Sequence, residues 1–232
     1  MSIIRPIEHS DPIVSVVIPT IPENEYTIPE TLQNQTADQY EVVVVSDGSI
    51  NRCEARNQGI RAAKGKIIAQ TDDDCRPDTM WLQKIQEAFT TNPNAVILGG
   101  CLDKHHSGPH YYIGANIAYK RQKAINIGGF DTEFSGWRAD TDFGWRMEIE
   151  YGVNRCLFDP ELEVKHIGPL RTSVNRQLER KFRQRYPIRY FTLLYHPKIM
   201  YGKKIGYLIG GIYSLSPRLI ETSIAIRNKI VG

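Results

Sequence analysis

Three consecutive aspartates, Asp72, Asp73 and Asp74, follow directly on the apolar run Ile67-Ile68-Ala69. Like charges on neighbouring residues repel and resist burial, so a carboxylate cluster at the end of a buried strand calls for a cation, and oxygen ligands favour a divalent one. The same residues also suit a solvated acidic turn or the start of a helix. Two further polar loops bear on the choice. Pro19-Thr20 follows the β-branched run Val14-Ser15-Val16-Val17-Ile18, and Asp47-Gly48-Ser49 follows Glu41-Val42-Val43-Val44-Val45. Both runs read as strands. If the three strands are parallel, all three loops leave on one sheet edge, and the carboxyl ends of strands are where open α/β sheets bind ligands.

The elements that must hold these loops together alternate along the chain. Thr27-x-x-Glu30 has the form of a capping box opening a short helix, with Pro29 in its first turn. Glu54 to Ala63 reads as a second helix closed by Gly65, Lys66 to Thr71 as the strand before the aspartates, and Asp78 as the cap of a third helix through Phe89. Strand and helix in alternation imply a parallel sheet built by right-handed crossovers. Farther on, an amphipathic helix carries Phe143, Met147 and Ile149, and Glu163-Val164-Lys165-His166 is strand-like.

The chain has 232 residues, 41% apolar and 24% charged, enough for one large core or one core with an appendage. No stretch reads as a secretory leader or an 18-residue apolar span, which points to a cytoplasmic protein. Cys53, Cys75, Cys101 and Cys156 lack CxxC spacing, against a zinc site or a disulfide framework, and read as reduced thiols. The net charge of +3 conceals an asymmetry: residues 171–232 hold thirteen Lys/Arg against two acids, leaving 16 basic and 24 acidic residues in 1–170. The expected division is therefore a body over 1–170 and a basic, helical tail over 171–232. Between Arg171 and Lys204 the basic residues interleave with Phe182, Tyr186, Tyr190, Phe191 and Tyr195. That composition suits peripheral contact with an anionic membrane surface, a phosphate-bearing ligand, or a solvated helical face. No nucleic-acid module accompanies the charge, so nucleic acid is not an expected partner.

Several segments, in order, resemble a known family: Val14-Ser-Val-Val-Ile-Pro-Thr20, Val45-Ser-Asp-Gly-Ser49, Ala55-Arg-Asn-Gln-Gly-Ile60, and Gln70-Thr-Asp-Asp-Asp-Cys-Arg-Pro-Asp78. Gly114-Ala-Asn-Ile-Ala-Tyr-Lys120, Ile127-Gly-Gly-Phe-Asp131 and Trp137-Arg-Ala-Asp-Thr-Asp-Phe-Gly-Trp-Arg146 continue the pattern. Together they are similar to the inverting family 2 glycosyltransferases, over residues 13–168. The resemblance implies an α/β, Rossmann-like GT-A domain with a mostly parallel central sheet. It also implies metal-dependent transfer of a sugar from a nucleotide-diphosphate-sugar to a hydroxyl of a glycan or lipid-linked acceptor.

The same resemblance assigns roles. The aspartate-x-aspartate motif would hold Mg²⁺ or Mn²⁺ as a Lewis acid for the leaving diphosphate, with Asp74 the direct ligand and Asp72 or Asp73 on metal or ribose. Asp47 would meet the base, with Ser46 in place of a first aspartate; its carboxylate can accept from uracil, favouring UDP, or equally from guanine. Pro19 and Thr20 would lie beneath the base and Arg56 against base or phosphate, unless Arg56 is a surface residue of its helix. Inversion needs a carboxylate opposite the leaving group, and Asp140 is the candidate, with Asp142 its rival. Ala139 stands where relatives carry Glu. Trp137 would stack on a sugar and Arg138 would steer an anionic acceptor. His166 sits where relatives place a histidine near the metal. Gln177-Leu-Glu-Arg180 resembles only weakly the Gln-x-x-Arg-Trp of processive synthases, since Lys181 replaces Trp. The departures leave a non-catalytic nucleotide-sugar-binding protein as the alternative, and a nucleotidyltransferase as a more remote one.

Overall fold

The structure, a computed structural model, describes residues 2–103, 108–169, 174–190 and 193. The elements run β1 (Ser2–Ile7), β2 (Val14–Thr20), α1 (Glu30–Gln33), β3 (Tyr40–Ser46), α2 (Arg52–Ala62), β4 (Ile67–Gln70), β5 (Cys75–Pro77), α3 (Trp81–Thr91), β6 (Ile97–Leu102), β7 (Ile117–Lys120), α4 (Arg121–Asn126), α5 (Ala139–Tyr151), β8 (Cys156–His166) and α6 (Arg176–Arg185). The eight strands form one sheet in the order β1-β3-β2-β4-β7-β6-β8-β5. The chain divides into two compact units, residues 1–175 and 176–232.

β2 and β3 are buried almost throughout, as expected of central strands covered on both faces, whose sequences read as unbroken apolar runs. β2 pairs in parallel with β3, where Thr20 faces Ser46, and with β4, where Val17 faces Gln70. The expected convergence follows: the loops after β2, β3 and β4 share one edge. Helix α2 packs so tightly on β2 that a side chain at Gly59 would overlap Val17 Cγ1.

The sheet is mixed rather than mostly parallel. β1–β3, β4–β7, β6–β7 and β5–β8 are antiparallel. The chain enters β7 from β6 through residues 103–116, and no helix lies among the described residues of that connection. A parallel return would have needed a crossover connection, which is usually a helix. Strand β1 was not anticipated at all, because its half-exposed alternation, interrupted by Pro6, is that of an edge strand.

Several local expectations shift. α1 starts at Glu30 behind Pro29, whose missing side-chain donor and acceptor leave no capping box. α2 begins earlier than expected, because Asn51 Oδ1 accepts from the Glu54 N–H. α3 begins at Trp81, with Asp78 Oδ1 accepting from the Met80 N–H in the preceding turn.

In the second unit, α6 carries Phe182, whose ring lies 5.1 Å from that of Tyr186 and 6.4 Å from that of Tyr190. Tyr190 donates to Glu179 Oε1 at 2.7 Å. The aromatic residues thus cluster among themselves. Arg171, Phe191, Tyr195 and residues 194–232 lie outside the described residues.

Candidate active site

The loops converge on a cleft of about 410 Å³ lined by, among others, Arg52, Arg56, Asp72, Asp74, Asp140 and His166. Trp137 and Arg138 form part of its rim. The three neighbouring aspartates diverge here. Asp72 Oδ1 accepts from Arg56 Nη2 at 3.0 Å, with Arg52 Nη1 4.0 Å from the other oxygen. Asp73 turns out of the cleft and accepts from Thr20 Oγ1 and Asn24 Nδ2, each at 2.6 Å. Asp74 Oδ2 lies 3.2 Å from His166 Nε2.

The Asp74–His166 pair is made by strand pairing, because β5 and β8 set Cys75 opposite His166. With Cys75 Sγ, the carboxylate and imidazole atoms lie within 4.8 Å of one another. Burial, reinforced by Asp72 and Asp74, pushes the Cys75 thiol well above its usual range, so it stays protonated and is a poor ligand. A carboxylate oxygen and an imidazole nitrogen remain, a donor set that fits Mn²⁺. A side chain at Gly168 would overlap Asp74 Oδ2, so the glycine leaves that carboxylate its place. Asp72, by contrast, is engaged by arginine rather than set beside His166. Burial raises the affinity of Asp72 for a proton, but Arg56 and Arg52 outweigh it and hold the carboxyl below the usual range.

Asp140 stands in the first turn of α5, and its Oδ1 accepts from Arg56 Nη1 at 2.6 Å. Its carboxylate is 30% exposed, open to the cleft. Asp142, two residues on, points to the opposite side of the helix. It is fully buried and accepts from Arg146 Nε at 2.8 Å, while the other Arg146 nitrogens donate to the carbonyls of Ile127 and Gly129 at 2.9 and 2.7 Å. Of the two aspartates, only Asp140 lines the cleft. Arg138, the residue before α5, holds a left-handed backbone (φ 61°), a conformation costly for a side chain other than glycine, and its guanidinium lies 5.4 Å from the Trp137 ring.

Arg56 is not a surface residue of α2 but is 3% exposed. Desolvation would loosen its proton, yet Asp140 and Asp72 more than offset this and keep the guanidinium charged. Phe130 lies 5.3 Å beneath it. Pro19, Thr20 and Asp47 meet at the end of β2, off the cleft itself. The Asp47 N–H donates to the Thr20 carbonyl, and Asp47 Oδ1 accepts from the Ser49 N–H and hydroxyl at 2.8 and 2.6 Å. Those bonds hold the Asp47 carboxyl below the usual range.

Arg52, Tyr111 and Tyr112 are among the lining residues that escaped the sequence reading, and Gly114 appeared there only as the start of a motif, with no role. Arg52 was detectable, because it precedes Arg56 by one helical turn and shares its face. Tyr112 anchors the cleft wall to α5 by donating to buried Glu148 at 2.7 Å. The role of Gly114 could not have been found by pattern alone. Its carbonyl accepts from Gln70 at 2.7 Å, and a side chain there would collide with Asp140 Oδ1 and lie 2.6 Å from Arg56 Nη2.

Residues 51–144 match the family model described as Glycosyl transferase family 2. That match spans less than half of the chain, which is similar to glycosyltransferase family 2 over those residues. The transferase is 24% identical to the glucosyl-dolichyl phosphate glucuronosyltransferase of Haloferax volcanii, over 78% of each chain. It is 21% identical to the chondroitin synthase of Escherichia coli, over 59% of this chain but only 32% of that protein. A mannosyltransferase of Pyrobaculum calidifontis, solved with GDP-Man and Mn²⁺, superposes with a TM-score of 0.55 and 18% identity over 78% of this chain and 63% of that one. TarS of S. aureus, solved with UDP-GlcNAc, gives a TM-score of 0.57 and 14% identity over 85% of this chain and 78% of the other. The GT-A fold is thus that of the transferase, with a mixed sheet.

Proposed function

We propose that this transferase moves a sugar from a nucleotide-diphosphate-sugar, UDP-linked in the first instance, to a hydroxyl of a lipid-linked glycan, with inversion. The observation that carries the reading is the opening of Asp140 and the Asp74–His166 pair onto one cleft. Asp140 takes the proton of the acceptor hydroxyl. Its Oδ1 is held by Arg56, so Oδ2 is the oxygen presented to that proton. Trp137, at the rim, offers an apolar ring face to the acceptor sugar, and Arg138 offers a cation beside it. Asp74 and His166 hold a divalent cation, which when bound supplies Lewis-acid stabilisation of the departing diphosphate. Asp72 fixes the arginines beside it. Asp73 takes a positioning part instead, tying the loop after β4 to Thr20 and Asn24 under the nucleotide side. Asp47, pre-ordered by Ser49, is the residue proposed to read the base.

A lipid-linked acceptor is supported by the dolichyl phosphate in the name of the Haloferax relative and by the four basic residues of α6 outside its first turn, Arg180, Lys181, Arg183 and Arg185. Among the described residues no helix is long and apolar enough to cross a membrane, so contact with the lipid surface would be peripheral. The test is a transfer assay with UDP-, GDP- and dTDP-sugars, in Mn²⁺, Mg²⁺ and EDTA, on wild type and Asp140→Asn. Turnover that needs metal and Asp140 is expected. Nucleotide binding indifferent to chelation, with no donor consumed, would refute the reading.

A further inference from the structure

Three carboxylates, Asp72, Asp74 and Asp140, face a single cleft, and their mutual repulsion must be met from within the protein. Arg56 meets two of them at once. Its Nη1 donates to Asp140 and its Nη2 to Asp72, two residues on different elements, while its Nε has no hydrogen-bond partner among the described residues. Burying a guanidinium is costly unless it is paired, and here all of its pairing goes to these two carboxylates. Its plane is fixed from below by Phe130, which is stacked on Phe143 at 4.1 Å and whose backbone N–H and C=O both bond the Asn57 amide at 2.7 and 2.8 Å. Gly114 abuts Arg56 Nη2 and Asp140 Oδ1 together, with no room for a side chain.

A free aspartate rotates broadly about its last torsion, so a base that must meet one hydroxyl gains from having one oxygen held. We propose that Arg56 is a positioning residue that locks the cleft carboxylates Asp72 and Asp140 into one rigid unit, fixing which Asp140 oxygen faces the acceptor. This rests on the reading of Asp140 as the base. It differs from a donor contact, the role expected from the resemblance, and from simple charge neutralisation.

The full chain, with Arg56→Lys, Arg56→Gln, Asp140→Asn and Arg56→Gln/Asp140→Asn, separates the three. Lysine keeps the charge but, as a point charge, cannot span two carboxylates as the planar fork does. Positioning predicts that Arg56→Lys melts close to wild type, binds UDP with Mn²⁺ as wild type does, and loses about 10²-fold in kcat with the donor KM unchanged, the scale of a small misplacement. It also predicts that adding Arg56→Gln to Asp140→Asn costs little further in kcat. Wild-type kcat in Arg56→Lys would overturn the proposal in favour of charge alone. Weakened UDP binding with kcat retained would overturn it in favour of a donor contact, and additive losses in the double variant in favour of a purely structural role. If Arg56→Gln does not fold, Arg56→Lys decides alone. Asp140→Asn turning over like wild type would instead defeat the reading of the base, whatever the arginine variants do.

Discussion

Asp140 and Asp142 sit in the same helical turn, and the structure gives them opposite fates when their charge is removed. Asp142→Asn leaves the Arg146 guanidinium without its buried counterion, though still bonded to two carbonyls. Breaking a fully buried pair costs about 3–5 kcal/mol; with Arg146 23% exposed and partly satisfied, about 2–3 kcal/mol is expected here. For a body of this size that is a fall in melting temperature of roughly 4–12 °C. The denaturant midpoint should drop with an unchanged slope, because the surface exposed on unfolding is the same. Turnover per folded molecule should stay at the wild-type value. Asp140→Asn should do the reverse: its amide oxygen still accepts from Arg56, so stability falls by about 1 kcal/mol, while transfer falls about 10²–10⁴-fold. Parallel melts and transfer assays, run well below both midpoints, check the pair. An Asp142→Asn enzyme that is folded yet slow, or an Asp140→Asn enzyme that is fast, would show that the assignment of the two carboxylates is wrong.

Gly114→Ala should lower kcat by about 10-fold or more by displacing Asp140 and Arg56, with the circular dichroism spectrum unchanged; full activity would mean the wall gives way freely. Asp74→Asn or His166→Ala should abolish the gain in UDP affinity that Mn²⁺ confers in calorimetry, while affinity in EDTA stays as in wild type. The Asp47 carboxyl should titrate below the usual value of about 3.9, so its contribution to stability is complete above that pH and is lost as the pH falls through the lowered value. In Ser49→Ala the carbon-13 NMR midpoint of Asp47 should rise towards the ordinary value. Charge reversal at Arg180, Arg183 and Arg185 should weaken co-sedimentation with anionic vesicles by on the order of 1 kcal/mol per arginine, with added salt weakening wild type likewise.

The nucleotide half of the fold could be read from the sequence because its strands are short β-branched runs separated by capped helices, and periodicity is a local signal. The antiparallel half could not, since the direction of β7 depends on what fills residues 103–116. Within the site, the residue types at Asp74, Asp140 and His166 and their motif order singled out three residues that line one cleft. The split of Asp72, Asp73 and Asp74 into three separate roles was hidden, because adjacent side chains in an extended turn point in different directions and their partners lie up to 92 residues away, as His166 does from Asp74. The burial of Arg56, which excludes the surface alternative, was hidden for the same reason: Phe130 and Gly114, which pack against it, are not near it in sequence.

Arg56 and Asn57 are consecutive in α2, and both reach across to the segment proposed to meet the acceptor, one to Asp140 and the other to the backbone of Phe130. The two halves of the transferase are therefore not interchangeable parts. A chimaera that took its acceptor segment from a relative would have to import α2 as well, or the new half would arrive without the fastening that aligns it. Changes of acceptor within this scaffold would then come more readily by editing the rim around Trp137 and Arg138 than by exchanging the segment whole.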